Sequence, residues 1–332
     1  MSNAPHRRGA ARALMLAALA SLTAPAAAQW KPEKNVELVI GTGPGGSFDT
    51  TARLLQRLWK DAGIVPATTL VVNKPGAGQS LALGYLNQHA GDGHYLTIAS
   101  GIVFSNHLTG KTTYSYTDFT PVAMLFSEAT VFAVNAGSSL GGARDLVERL
   151  RKDAAGPTFA VGSTLGSVTH IAGALVLKSA GGDVRKMKAV VLNSSAESVT
   201  AVLGGHIDVV ISAASLVLPF AQSGKLRMIA VASPQRLAGA LADTPTWKEQ
   251  GVDTVAINWR GVMGPKGMTR EQVAYWEDAI AKTVRLSEWQ GLTTRNVWDD
   301  AFMGSREYRK FLDADYAATR VILTELGLTR QP

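Results

Sequence analysis

Residues 36–55 read VELVIGTGPGGSFDTTARLL, and this stretch decides the class of fold. Val36 to Ile40 is a short apolar, β-branched run of the kind that forms a buried strand. Gly41 to Ser47 follows as a glycine-rich turn. From Phe48 to Asp61, Phe48, Ala52, Leu55 and Trp59 recur at spacings of four, three and four, which predicts a helix with one apolar face. The unit is therefore strand, glycine loop, helix. Working outward, Leu70–Asn73 predicts a second strand, Pro75–Gly78 a turn, Gln79–His89 a second helix and Tyr95–Ser100 a third strand.

The same order returns about 120 residues later. Thr158–Val161 is a strand, Gly162–Ser167 a loop, and a helix carrying Ile171, Leu175 and Val176 follows. Ala189–Leu192, Ala196–Leu203 and Val209–Ser212 then read as strand, helix and strand. Alternation of this kind predicts an α/β protein with parallel sheets covered by helices on both faces. Two copies predict two similar lobes. Val122–Asn135 and Leu226–Ala232 are long β-prone stretches expected to cross between the lobes. The tail from Thr269 onward reads as helical, with Gly327 at the end of its last helix. It is assigned to the first lobe, so that 29–125 and 236–332 form lobe one and 126–235 form lobe two.

The composition is that of a globular chain: 332 residues, 46% hydrophobic, 18% charged. It contains no cysteine, which excludes zinc ribbons, iron–sulfur clusters, thiol nucleophiles and disulfides. Residues 1–28 read as a secretory signal peptide. Arg7, Arg8 and Arg12 make a basic start, Ala13–Leu22 is a short apolar run, and Ala26-Ala27-Ala28 is a small-residue cleavage site. The apolar run is far below the roughly 20 residues needed to span a bilayer. No other run reaches that length, and the mature chain is expected to be soluble. The leader carries three of the 33 basic residues and none of the 26 acidic ones, so the net charge falls from +7 to +4 on its removal. The densest basic cluster, Arg185–Lys188, is short and lacks aromatic neighbours, so no nucleic-acid partner is expected. Mild basicity favours small anions.

Gly41-x-Gly43-x-x-Gly46 matches a dinucleotide fingerprint by spacing. Pro44 removes a backbone N–H from that loop, however, and the second strand ends in Asn73-Lys74 where an acidic residue would hold a ribose. No cofactor is expected. What remains is a helix N-terminus with closely approaching backbone N–H groups, which favours an anion. Gly45, Gly46 and Ser47, after Pro44, form one such end. Gly78, Gln79 and Ser80 form a second in the same lobe. Leu165, Gly166, Ser167, Val168 and Thr169 form a third in the other lobe, whose loop from Ser163 and Thr164 onward would close over the ligand. The plainer reading, that these glycines only make tight turns, stands beside it. No catalytic constellation is evident, and His89, Asp92 and His94 read as surface loop residues and not as metal ligands. No metal site is expected.

At these loops the sequence resembles the Bug-type extracytoplasmic receptors of tripartite tricarboxylate transporters. The likeness is carried by VELVIGTGPGGSFDTTARLL, VVNKPGAGQSLALGYLNQHAGDGHYLTIAS (71–100), LGGHIDVVIS (203–212), GKLRMIAVASPQR (224–236), DTPTWKEQGVD (243–253) and NWRGVMGPKGMT (258–269). It runs from about Trp30 to Leu328. The resemblance implies a periplasmic, two-lobed Venus-flytrap receptor of type II, without catalytic activity. It implies a small organic anion held mainly by backbone amides: a di- or tricarboxylate, an acidic amino acid or an aromatic acid. It also implies membrane permease subunits as partners, and a monomer is expected. Carried over residue by residue, the family's Pro-Gly-Gly-x-x-Asp stretch falls on Pro44 to Asp49, and its second-lobe loop on Gly162 to His170. Asn193 and Ser194 begin a segment, Asn193 to Glu197, that departs from the family pattern. Ser100, Ser105 and the Ser212–Ser215 segment would face the cleft, and Arg260 would either pair with a distal carboxylate of the ligand or be a structural or solvated arginine, as the family's frequent lack of an arginine clamp implies. A periplasmic sensor for a two-component system, or an enzyme on the same lobes, are the alternative functions.

Overall fold

The computed structural model describes residues 30–162, 164–192 and 194–330. The leader, with its expected cleavage after Ala28, and the site residues Ser163 and Asn193 lie outside the described residues.

Three parallel strands, β1 (Val36–Ile40), β2 (Thr69–Asn73) and β3 (Tyr95–Ala99), lie in the order β2-β1-β3. Helices α1 (Ser47–Asp61) and α2 (Ser80–Asn87) connect them, and α3 (Ile102–Leu108) follows β3. In α1 the predicted face is buried: Phe48, Ala52, Leu55 and Trp59 are all inaccessible or nearly so. The helix stops where Gly63 takes a left-handed φ of 62° and the Ile64 N–H turns back to the Trp59 carbonyl.

The second half repeats this plan. Strands β5 (Thr158–Gly162), β6 (Lys188–Leu192) and β7 (Val209–Ala213) lie in the order β6-β5-β7, again parallel. Helices α4 (Ala143–Lys152), α5 (Val168–Ser179), α6 (Ser195–Leu203) and α7 (Ala214–Gln222) cover the two faces. Successive strand residues serve opposite cores. Phe159, Val161, Val209 and Ile211 pack with α4 and α5, whereas Ala160 and Val210 pack with α6 and α7. This two-sided burial is why the strands read as unbroken apolar runs.

Strand β4 (Phe119–Asn135) joins the halves. Its first part, to Ala129, pairs antiparallel with β9 (Ile257–Pro265); from Thr130 it pairs with β7. The expected return crossing is corrected here. Strand β8 (Leu226–Val231) stays beside the second part of β4, and the chain returns through β9, which pairs with both β3 and β4. The tail also differs from expectation. Helices α8 (Arg270–Val284), α9 (Ser287–Asn296) and α10 (Ser305–Glu325) are interrupted by β10 (Trp298–Gly304), antiparallel to β4. Val297, at a φ of 54°, turns the chain out of α9, and Trp298 then stacks on Phe126 at 3.9 Å between ring centroids. The end of α10 packs Leu323 and Leu326 against Ile171 and Ala174 of α5. None of the described helices is long and apolar enough to cross a membrane.

Candidate functional site

The loop between β1 and α1 is built around one left-handed glycine. Gly45 has φ 80°, Gly46 is extended, and Ser47 opens the helix with no side chain capping it. The first N–H groups of the helix therefore point out unsatisfied by their own turn. Asp49, carried over as a site residue and read from its place in the first helical turn as interacting locally, is turned into the loop. Its Oδ2 accepts the Gly45 N–H at 3.0 Å and Arg53 Nε at 2.9 Å, and its Oδ1 accepts Asn73 Nδ2 at 2.9 Å. Burial opposes its ionisation, but the hydrogen bonds from Arg53, Gly45 and Asn73 prevail and hold it below the usual carboxylate range. Asn73 also donates to the Thr42 carbonyl at 3.0 Å. The position where a dinucleotide site would carry an acid thus clamps the loop itself.

The second loop is strained. Gly76, Ala77, Gly78 and Gln79 all have positive φ, two of them without being glycine. Gly41 makes room for it, since a Cβ there would stand 2.5 Å from the Gln79 Cβ. The Asn106 amide donates to the Gly78 carbonyl, which leaves Asn106 Oδ1 facing away from that bond. Asn106 Oδ1, Gln79 Nε2 and Thr42 Oγ1 are buried and have no partner. An orphaned buried polar atom costs about 1–3 kcal/mol, and three of these lie around the first two loops.

In the other half the same local plan recurs with different side chains. Gly166 has φ 85°, Ser167 caps α5, and the Ser167 and Thr169 hydroxyls lie 3.0 Å apart. His170 Nδ1 accepts the Gly166 N–H at 3.0 Å, which assigns the ring proton to Nε2. Burial, reinforced by Lys111, lowers its pKa to about 4, so the ring is neutral. Asp49 and His170 thus do the same work: each accepts the N–H of the left-handed glycine four residues earlier. Ser194 caps α6 by accepting the Glu197 N–H at 3.2 Å. Ser212 is fully buried with its hydroxyl unpartnered.

The loops of the two halves meet. A Cβ added to Gly46 would lie 3.3 Å from the Ser194 Cβ, and one on Gly45 would lie 3.8 Å from the Ala196 Cβ. A Cβ on Gly78 would lie 3.0 Å from Thr164 Oγ1, and one on Gly166 would lie 3.2 Å from both Ser105 Cβ and Thr109 Cγ2. Lys111 Nζ donates across the gap to Thr164 Oγ1 and, at 2.8 Å, to the Leu165 carbonyl. Ser105 and Ser100 serve locally: Ser105 Oγ donates to the Gly101 carbonyl at 3.1 Å and Ser100 Oγ accepts the Ile102 N–H at 3.3 Å.

Arg260 requires a correction. Its partner is a carboxylate of this chain. On β9 its side chain is 3% exposed and paired with the fully buried Glu128 of β4 at 3.1 Å. Arg260 Nε and Nη2 also donate to Ser47 Oγ at 3.1 and 2.7 Å, and the guanidinium lies over the Phe48 ring at 4.6 Å. Burial pulls its pKa down and Glu128 pushes it back up. Glu128 accepts from Ser47 Oγ and Asn258 Nδ2 at one oxygen, and from Ser215 Oγ and Trp298 Nε1 at the other. Glu128, Asn258, Trp298, Thr42 and Lys111 were not picked out by sequence reasoning, whereas Ser215 lay in the Ser212–Ser215 segment that was. Glu128 carried a signal, as the lone ionisable residue in the seventeen of β4.

Two α/β halves, each with its second, first and third strands adjacent and its helix-start loops turned to the other, define the two-lobed fold of the periplasmic binding proteins. A family model described as tripartite tricarboxylate transporter family receptor matches residues 57–328, and the chain belongs to that family. Protein BugT of Bordetella pertussis is 29% identical over 255 residues, covering 75% of this chain and 76% of BugT. A Rhodopseudomonas palustris protein solved with adipate superposes with a TM-score of 0.82 at 22% identity, over 90% of this chain and 99% of that one. MatC of the same organism, solved with malate, superposes at 0.75 with 21% identity, over 89% and 98%.

Proposed function

We propose that the protein is an extracytoplasmic receptor that closes its two lobes over a small organic carboxylate and delivers it to a tripartite tricarboxylate-type permease. One observation carries the reading: the uncapped N-terminus of α1 and the N-terminus of α6 come together from opposite lobes at Gly46 and Ser194. Helix N-termini converging on one place favour a negative charge there. Gly46, Ser47 and the first turn of α1 hold one carboxylate; Ser194 and the Thr164–Thr169 loop close over it. The orphaned groups of Thr42, Gln79 and Asn106 take the rest of the ligand, directly or through water. Asp49 and His170 shape the loops and do not touch the ligand. The adipate and malate of the related structures suggest a dicarboxylate as the first class to test.

In this reading the leader 1–28 is removed after Ala28 and the receptor is a periplasmic monomer. The lobe bounds shift from those expected, because β4 changes partners at Ala129–Thr130 and Leu241, Trp247, Val252 and Ala256 pack in the second half: lobe one comprises 30–129 and 257–330, and lobe two 130–256. The protein binds and releases its ligand unchanged. The test is isothermal titration of the mature protein with succinate, malate, adipate and citrate, with inorganic phosphate and NAD as controls. Saturable binding of at least one acid, abolished by Gly46→Asp, supports the proposal. Binding of NAD or phosphate with none of the acids overturns it.

A further inference from the structure

Glu128 stands where β4 leaves one half of the sheet for the other: Ala129 is the last residue paired with β9 and Thr130 the first paired with β7. Its two oxygens divide their partners accordingly. Oε1 takes Arg260 Nη2, Ser47 Oγ and Asn258 Nδ2, all from the half that carries α1. Oε2 takes Ser215 Oγ at 2.9 Å from the first turn of α7, in the other half, and Trp298 Nε1 from β10. Arg260 spreads its fork over Ser47 with Nε and Nη2, and over Asn258 Oδ1 and the Trp259 carbonyl with Nη1. Only a planar guanidinium supplies these directions together.

We propose that Arg260 and Glu128 are positioning residues for the anion site. Arg260 holds the first turn of α1 through Ser47, and Glu128 ties that turn to the start of α7, so the carboxylate-binding helix end is braced against the strand crossing about which the lobes would move. The inference rests on the reading that this helix end receives an anion. Neither side chain reaches the ligand. The pair is electrically balanced, so Arg260 adds no net charge to the site while its partner is intact.

The experiment is hydrogen exchange with mass spectrometry on the mature protein without added ligand, following peptides over 45–52, 213–220 and 143–152. Glu128→Gln, Ser215→Ala and Arg260→Lys are compared with the parent. Exchange about tenfold faster at both 45–52 and 213–220, with 143–152 in α4 unchanged, is the expected result for Glu128→Gln and Ser215→Ala. Acceleration confined to one of the two segments, or equal in α4, overturns the brace. Ser215→Ala is the informative variant, because it leaves the ion pair in place and lies in the other half from Ser47. Arg260→Lys keeps the charge and loses the fork. Titrated with malate, adipate and citrate, it is expected to bind about tenfold more weakly than the parent. Parental affinity in Arg260→Lys would mean that charge alone matters and would overturn the positioning role. If the parent takes none of the three acids, the receptor reading falls, while the exchange result still decides the brace.

Discussion

Gly46 and Ser194 stand against each other across the two lobes with little room for a side chain at position 46, since a Cβ there would come 3.3 Å from the Ser194 Cβ. The φ of Gly46 is −77°, which any residue adopts, so what a side chain there would strain is the contact with the neighbour and not its own backbone. Gly46→Ala is therefore expected to fold with nearly unchanged melting temperature and to close poorly. Its affinity for a carboxylate should fall about tenfold, which corresponds to about 1.4 kcal/mol of closure lost. Small-angle scattering with and without the acid provides the check: the parent contracts on binding and the variant contracts less.

Lys111 provides the matching test from the far side of the cleft. Its ammonium joins the first lobe to the Thr164 hydroxyl and the Leu165 carbonyl. Lys111→Met retains the stem and removes both donations. Ligand release measured by stopped-flow fluorescence should become several-fold faster, roughly the worth of about 1 kcal/mol of hydrogen bonding. Unchanged release would mean that the contact forms without contributing to closure.

The buried pair predicts a non-additive stability cycle. Arg260→Met leaves Glu128 charged and enclosed, at a cost of about 3–5 kcal/mol. Adding Glu128→Gln removes the stranded charge, so the double variant should be more stable than Arg260→Met alone. Urea unfolding of the three variants and the parent measures this. A double variant with the full sum of the two single losses would contradict the pairing.

His170 predicts a pH dependence. Burial and Lys111 hold its folded pKa at about 4, below the reference value of 6.5. Above 6.5 both states are neutral at this residue and its contribution to stability is fully present. As pH falls from 6.5 to 4 the unfolded chain takes up a proton that the folded chain refuses, and about 3 kcal/mol is lost by pH 4. His170→Gln, which keeps an acceptor for the Gly166 N–H, should lose less melting temperature than the parent between pH 7.5 and 4.5. Parallel curves would remove His170 as the cause.

What was legible in the sequence was local. Apolar spacing located α1, and glycines beside short apolar runs located the two helix-start loops, because both signals lie within a few residues of the structure they specify. The facing of those loops rests on contacts such as Gly78 with Thr164 that no spacing encodes. Asp49 sits in the stretch carried over as the ligand loop, and its local role, readable from its place in the first helical turn, is met by Arg53, Gly45 and Asn73. Strand β10 was hidden because Trp298-Asp299-Asp300 has neither alternation nor length and is flanked by helices on both sides. The Arg260–Glu128 pair joins residues far apart in the chain, and only the isolation of Glu128 in an apolar strand pointed to it.

The pairing of β4 has a consequence for how the molecule is made. Its first half lies between β9 and β10, both of which leave the ribosome long after β4 itself. The first sheet therefore cannot be completed during most of synthesis. The nascent chain carries an unsatisfied apolar strand until residues 257–304 have appeared, and folding of the first lobe waits for the C-terminal part of the chain. The half formed by β5–β8 needs only contiguous sequence and the second part of β4. The later-encoded lobe is thus the one placed to fold first, in reverse of the order in which the two are read.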